Sequence, residues 1–124
     1  MSVAESRLDQ VRRVYAAWGR GDFTVGWEWL ADDAQFVPLD DLTDPELTRG
    51  SEAIRGFLDD LLDSFSELRI EPLEFVEAGD RVRVKVRQRV VGRGSGASSE
   101  FEYWMEWVFD EDDQVVSFGA LRDD

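Results

Sequence analysis

Residues 101–121 read FEYWMEWVFDEDDQVVSFGAL, and this stretch decides the fold. Bulky apolar side chains alternate with other residues from Phe101 to Phe109 and again from Val116 to Ala120. This period of two predicts two strands with one buried face, because successive side chains of a strand point to opposite sides. The acidic residues 110–113 predict the turn between them. The two strands form a hairpin with one aromatic face, which other parts of the chain must cover.

Residues 68–78 and 81–91 are predicted to form the two strands that come before this hairpin. In the second of them, valines alternate with arginine and lysine, so that one face is apolar and the other is basic. Side chains on the same face of an antiparallel pair lie opposite one another. The basic face is therefore expected to meet Glu102 and Glu106, with Trp104 between them.

Apolar residues at spacings of three and four predict three helices in the first half of the chain. They run over residues 5–18, 22–30 and 51–65, and a short strand at residues 34–37 lies between the second and the third. The period changes from helical to strand-like near Glu67. A run of helices followed by a run of strands indicates an α+β fold, with the helices packed on one face of a bent sheet.

The composition limits the classes of protein to which the chain can belong. Its 124 residues match one domain, spanning residues 1–124. The chain has no cysteine and no histidine, so no metal and no cofactor is predicted. The net charge of −14 argues against nucleic acid and anionic membranes as partners, since both require basic patches. No stretch resembles a signal peptide or a membrane span, and a cytoplasmic protein is the expectation.

Three short stretches carry a resemblance to a known family. They are GRGD at residues 19–22, LADDA at residues 30–34 and RGSEAIRGF at residues 49–57. With the strands that follow, they resemble the SnoaL-like polyketide cyclase family, which belongs to the nuclear transport factor 2-like superfamily together with the ketosteroid isomerases. The resemblance implies a cone-shaped barrel of a curved, mostly antiparallel sheet packed against three helices. It also implies a domain that usually dimerises through the outer face of the sheet.

The resemblance supports the fold more strongly than it supports any particular reaction. For a chemistry like that of the ketosteroid isomerases, the resemblance implies three catalytic residues. A tyrosine and an aspartic acid would form an oxyanion hole, and an aspartate would act as the base. The corresponding positions here are Val14, Met105 and Pro38, and none of these side chains can do that chemistry. Tyr15 is one residue away from the first position, and Asp40 is two residues past the last.

Asp40, Asp41 and Tyr15 are nevertheless the candidate catalytic residues. A carboxylate in an apolar pocket can have a raised pKa and act as a base, and a tyrosine can donate a hydrogen bond to a carbonyl. The alternatives are a solvated acidic loop and a core tyrosine with its hydroxyl at the rim. With Asp44 and Glu46, the loop could also hold a hard cation, but its spacing matches no calcium loop.

The aromatic face predicts either a cavity for a small apolar ligand or a filled core. The residues expected to contact a ligand are Trp18, Trp27, Phe57, Gln88, Tyr103, Met105, Trp107 and Phe118. Gln88, the polar residue on the valine face, is expected either to hydrogen bond to Tyr103 or the backbone, or to face the ligand.

Three functions remain open from the sequence. The first is a small-molecule binding or accessory protein with no chemistry of its own, and the missing histidine favours it. The second is an isomerase, cyclase or hydrolase that uses Asp40 or Asp41 as base and Tyr15 as donor. The third is a structural dimerisation module with a filled core.

A homodimer through the outer sheet face is also predicted, because a large tryptophan among charges is typical of an interface. The residues expected at that interface are Arg83, Lys85, Arg87, Glu102, Trp104 and Glu106.

Overall fold

The computed structural model describes residues 6–38 and 45–121. Its regular elements, in chain order, are helix α1 (Arg7–Gly19), strand β1 (Leu30–Val37), helix α2 (Ser51–Asp63) and strands β2 (Phe65–Ala78), β3 (Arg81–Gly92), β4 (Ser98–Phe109) and β5 (Val115–Ala120). Two short 3₁₀ turns, at Trp27–Trp29 and Pro45–Thr48, precede β1 and α2.

The five strands form one curved sheet in the order β1-β5-β4-β3-β2. The pair β1–β5 is parallel, whereas the other three pairs are antiparallel. β1 and β2 are the two edges of the sheet, so the strands do not close into a complete barrel. The predicted α+β fold with a curved, mostly antiparallel sheet is confirmed.

The register between β3 and β4 agrees with the predicted faces. The cross-strand pairs on the outer face include Arg83 with Glu106, Lys85 with Trp104 and Arg87 with Glu102. The inner face carries Val82, Val84 and Val86, which are fully buried. The alternation in the sequence therefore identified both the partner residues and the side of the sheet that faces the core.

The second predicted helix is wrong, because residues 22–26 form no helix and only the turn Trp27–Trp29 follows. The side chain of Asp22 accepts a hydrogen bond from the backbone N–H of Thr24 at 3.0 Å, which closes a local turn. Gly26 then adopts a φ of 101°, a left-handed conformation that interrupts a right-handed helix. A Cβ at Gly26 would lie 3.0 Å from Val14 Cγ2, so the backbone packs directly on α1.

The third predicted helix ends at Asp63, and Phe65 already belongs to β2. Gly56 within this helix is exposed, and a Cβ there would meet nothing within 4 Å. The glycine is therefore not required by close packing.

The helices lie against the inner face of the sheet. α1 packs on β2 and β3, and α2 packs on β1 and β2. Val11 and Val14 of α1 and Ile54 of α2 belong to the same buried cluster as the valines of β3. Neither helix of the described part has the length and apolar character that a membrane crossing requires.

Candidate functional site

A cavity of about 350 Å³ lies between the helices and the inner face of the sheet. Small-molecule sites typically have volumes of about 300–1,000 Å³, so this cavity lies at the small end of that range. All eight residues that the sequence predicted as ligand contacts line it: Trp18, Trp27, Phe57, Gln88, Tyr103, Met105, Trp107 and Phe118. The cavity contradicts the alternative of a core filled by these side chains.

One side of the cavity is a group of packed aromatic rings. Trp107 stacks on Phe118 with ring centroids 4.8 Å apart and an angle of 18° between the planes. Phe36 contacts Phe118 at a centroid distance of 5.0 Å, and Trp18 contacts Trp107 at 5.9 Å. These rings come from four different elements, and together they present an apolar surface to any ligand.

The wall of the cavity has almost no polar chemistry. Among the described residues that line it, none carries a charge. The indole N–H groups of Trp27 and Trp107 are used within the protein, because they donate to the carbonyl oxygen of Phe23 at 2.9 Å and to the hydroxyl of Tyr15 at 3.0 Å. Apart from tryptophan indoles, Gln88 is one of two polar side chains in the described wall.

The second polar side chain of the wall is Tyr103, whose hydroxyl donates to Gln88 Oε1 at 2.6 Å. Gln88 thus bonds to Tyr103, which is one of the two alternatives expected from the sequence, and its side chain also lines the cavity. Burial raises the pKa of Tyr103 to about 12, so the phenol is neutral near neutral pH. The two residues form the polar spot of the wall.

Tyr15 lies behind this wall and is not among the residues that line the cavity. Its side chain is 1% exposed, and its hydroxyl donates to Met105 Sδ at 3.0 Å while accepting from Trp107 Nε1. Burial raises the pKa of Tyr15 far above its usual value. The hydroxyl therefore holds α1 to β4 and is not presented to a ligand.

The other two candidate catalytic residues, Asp40 and Asp41, lie outside the described residues. Val37 and Pro38, the last two described residues before them in the sequence, both line the cavity. Within residues 6–38 and 45–121, no group of three or more acidic side chains is arranged to hold a metal ion.

The three residues that the resemblance equates with the catalytic positions of the ketosteroid isomerases all line the cavity. These residues are Val14, Pro38 and Met105. Because these three side chains are apolar or a thioether, they supply neither a general base nor an acidic hydrogen-bond donor.

Sequence reasoning missed part of the wall, including Phe23 and Phe36. Phe23 falls within the helix predicted over residues 22–30, but it reaches the cavity from the loop after α1. The aromatic residues that follow Gly21 were the available signal for this wall. The same loop is joined to α2 by Arg55, whose guanidinium lies over the Trp27 ring at 4.8 Å from its centroid.

The fold is an α+β domain in which a curved open sheet and two helices surround a cavity whose described lining residues carry no charge, and such a concave apolar cavity is typical of small-molecule sites. A sequence profile of the SnoaL-like domain matches residues 11–118. The chain belongs to the SnoaL-like domain family. The resemblance inferred from the sequence is thereby confirmed.

Several solved structures share this fold. A nuclear transport factor 2-like protein of unknown function from Burkholderia pseudomallei is 26% identical, with a TM-score of 0.78 over 94% of this chain and 90% of that one. TerC, co-crystallised with polyporic acid, is 20% identical, with a TM-score of 0.75 over 94% of this chain and 91% of that one.

A third structure, a ketosteroid isomerase-like protein from Catenulispora acidiphila in complex with trimethylamine, is 14% identical, with a TM-score of 0.72 over 92% of this chain and 85% of that one. No curated protein matches the sequence. The last two structures are too distant in sequence to indicate more than a common fold.

Proposed function

We propose that the protein binds a small, neutral, largely apolar molecule in its central cavity, as a binding or accessory protein without chemistry of its own. The observation that carries this proposal is a cavity of about 350 Å³ whose described lining residues include no charge. A charged ligand buried there would lose its hydration without gaining an ionic partner, which is strongly unfavourable. A neutral ligand avoids that penalty.

The aromatic side of the cavity supplies the driving force for binding. A bicyclic hydrocarbon that buries about 250 Å² of apolar surface gains about 6 kcal/mol at 25 cal/mol per Å². That free energy corresponds to a dissociation constant of tens of micromolar. Trp107 and Phe118 already stack on each other, so the ring surface needs no rearrangement to receive a flat ligand.

An enzyme of the isomerase, cyclase or hydrolase kind is the second candidate, and one observation favours it. Pro38 lines the cavity and stands two residues before Asp40. Asp40 or Asp41 would have to serve as the base in that reaction. Tyr15 is a poor donor for it, because its hydroxyl is engaged by Met105 and Trp107. Catalysis needs a base and a donor that converge on one point, and the described residues supply no such pair.

We also propose a homodimer through the outer face of β3 and β4. Trp104 is half-buried on this face, in the middle of charged neighbours, and a second copy would remove its ring from water. Charge pairing across a two-fold axis contributes little, because the charges are already paired within one chain. These pairs are Arg83–Glu106 at 3.0 Å, Arg87–Glu102 at 3.0 Å and Lys85–Glu102 at 3.7 Å. A cytoplasmic location and the absence of a nucleic-acid partner stay predictions.

Three probes of similar size test the neutral-ligand proposal by isothermal titration calorimetry. They are tetralin, which is neutral, naphthalene carboxylate, which is an anion, and naphthylmethylammonium, which is a cation. We expect saturable binding of tetralin and at least tenfold weaker binding of both ions. The titrations are made at high salt, which screens the long-range effect of the net charge of −14 on the affinities of the two ions. Binding of either ion as tight as that of tetralin would contradict the proposal.

The double variant Asp40→Asn/Asp41→Asn is the matched control. If the uncharged wall excludes the ions, the order of the three affinities should be the same as in the wild type. If the carboxylates of the loop exclude the anion, naphthalene carboxylate should bind the double variant as well as tetralin does.

A further inference from the structure

The polar spot formed by Gln88 and Tyr103 is out of place in an otherwise apolar wall. Gln88 is 9% exposed, lies on the inner face of β3 and lines the cavity. Its side-chain amide makes one hydrogen bond, to Tyr103, within residues 6–38 and 45–121. A ligand that displaces solvent from this amide has to accept a hydrogen bond from it, because each buried donor left unsatisfied costs about 1–3 kcal/mol.

We infer that Gln88 and Tyr103 form a hydrogen-bond donor site for an oxygen acceptor on the ligand, with an uncharged carbonyl as the chemical class that fits. This inference rests on the proposed function, since it concerns the same cavity. It adds that Gln88 and Tyr103 bind the polar end of the ligand, and that this end carries an oxygen acceptor.

A count of hydrogens shows why the pair is a donor. The amide of Gln88 has two polar hydrogens and the hydroxyl of Tyr103 has one. Their mutual hydrogen bond uses one of the three. Two hydrogens therefore remain, whichever way round the amide is turned. A carbonyl oxygen has two lone pairs and no hydrogen, so it is the complement of such a site.

The electrostatics of the wall favour a neutral carbonyl over a carboxylate. Neither Gln88 nor Tyr103 carries a charge near neutral pH, and no cation stands among the described residues that line the cavity. Neutral donors stabilise a carboxylate too little to offset the loss of its hydration. A ketone, ester or amide oxygen has a much smaller hydration to lose.

The neighbouring rings would hold the rest of such a ligand. Phe101 stacks on Tyr103 with centroids 5.8 Å apart, so the phenol is fixed in its plane. Met105 and Trp107 continue along the inner face of β4. A ligand that places its oxygen at Gln88 therefore extends its apolar body along β4 toward Met105. The site thus fixes the direction of the ligand as well as its polarity.

The experiment compares tetralin with α-tetralone, which share a bicyclic skeleton and differ by a carbonyl oxygen. The measured quantity is the ratio of their dissociation constants, determined by calorimetry for the wild type and for the double variant Gln88→Met/Tyr103→Phe. This variant removes all three polar hydrogens while keeping similar side-chain volumes. The comparison between variants cancels the different solubilities of the two probes.

We expect the preference for α-tetralone over tetralin to fall about tenfold in the double variant, as the loss of one to two hydrogen bonds predicts. The single variant Gln88→Met should lose part of the preference, and it tests the inference if the double variant does not fold. Gln10→Met is the matched control, because Gln10 is another buried glutamine, 5% exposed, but does not line the cavity. It should leave the ratio unchanged.

The outcomes separate this inference from the proposed function. If both probes bind and the ratio is the same in the wild type and the double variant, the donor site is wrong and the binding function stands. An equal drop in Gln10→Met would also overturn the donor site. If neither probe binds the wild type at millimolar concentration, the binding function fails and the inference fails with it.

Discussion

The hydroxyl of Tyr15 lies 3.0 Å from Met105 Sδ, to which it donates a hydrogen bond across the interface of α1 and β4. The same hydroxyl accepts from the indole of Trp107 at 3.0 Å. The hydroxyl of Tyr15, which the sequence offered as a catalytic donor, thus already donates one hydrogen bond and accepts another within the protein. Met105 and Trp107 face the cavity, and Tyr15 supports them from behind.

The substitution Tyr15→Phe tests this supporting role. It leaves the indole N–H of Trp107 buried without its acceptor, so the free energy of unfolding should fall by about 2 kcal/mol. The dissociation constant for tetralin should change less than twofold. Urea unfolding and calorimetry give the two quantities. Unchanged stability combined with a large loss of affinity would instead show that the hydroxyl contacts the ligand.

The two tyrosines predict a loss of stability at alkaline pH. Burial raises the pKa of Tyr103 from 10.0 to about 12 and raises that of Tyr15 further. Above pH 10 the unfolded chain has lost protons that the folded chain keeps, so ionisation favours unfolding. Stability from these groups is fully present below pH 10 and is lost as the pH rises toward 12 and beyond.

Urea unfolding at a series of alkaline pH values measures this decline. The variant Tyr103→Phe should show a shallower decline, because it keeps the contribution of Tyr15 alone. The ultraviolet absorbance of phenolate should rise together with unfolding. A full phenolate signal near pH 10 in the folded protein would contradict the burial of both hydroxyls.

Two glycines with opposite surroundings give a paired prediction about stability. Gly119 has a φ of 136°, and a Cβ there would clash with the carbonyl oxygen of Val37 and lie 2.7 Å from its nitrogen. Gly119→Ala should therefore lower the free energy of unfolding by more than about 2 kcal/mol. In helix α2, Gly56→Ala should raise it by up to about 1 kcal/mol, because the added methyl meets no neighbour.

Thermal or urea unfolding of both variants checks this pair. A tolerated alanine at 119 would show that β1 and β5 do not approach as closely as the parallel pair Val37–Gly119 requires.

Replacement of Trp104 by glutamate tests the dimer. The wild type should be a dimer at micromolar concentration by light scattering, and Trp104→Glu should be a monomer, because a carboxylate cannot be buried in a two-fold contact without a partner. The variant Arg83→Gln is a useful control on the same face. It breaks the pair with Glu106 but should leave the dimer intact, since that pair lies within one chain. A monomeric wild type would refute the interface.

The sequence predicted the sheet well, because its signal is local. The strict alternation around Lys85 and Trp104 defines which side chains face the core, and a hairpin allows little freedom in register. The sequence predicted the helix over residues 22–30 wrongly. There, the left-handed conformation of Gly26 and its contact with Val14 outweigh the helical spacing of the aromatic residues. That contact joins distant parts of the chain and leaves no local pattern.

Eight of the residues that line the cavity could be predicted because the sequence periodicity places them on inward faces, and six of these eight are large and apolar. The role of Tyr15 could not be predicted, because Tyr15 and Trp18 share one face of α1 in any helical projection. Trp18 reaches the cavity, whereas Tyr15 is covered by Met105 and Trp107. Only the packing of α1 against β4 determines that Trp18, and not Tyr15, lines the cavity.

The central claim is that the cavity of this SnoaL-like domain binds a neutral apolar ligand, and filling it tests that claim most directly. Ile70 lines the cavity on β2, so Ile70→Trp should occupy part of it. On the same strand Leu73 is 39% exposed and does not line the cavity, so Leu73→Trp is the matched control.

The measurement is calorimetric titration of tetralin into the wild type and both variants. We predict one saturable site in the wild type with a dissociation constant of tens of micromolar, affinity within twofold of this in Leu73→Trp, and at least tenfold weaker binding in Ile70→Trp. Absence of saturable binding to the wild type, or equal affinity in Ile70→Trp, would contradict the account.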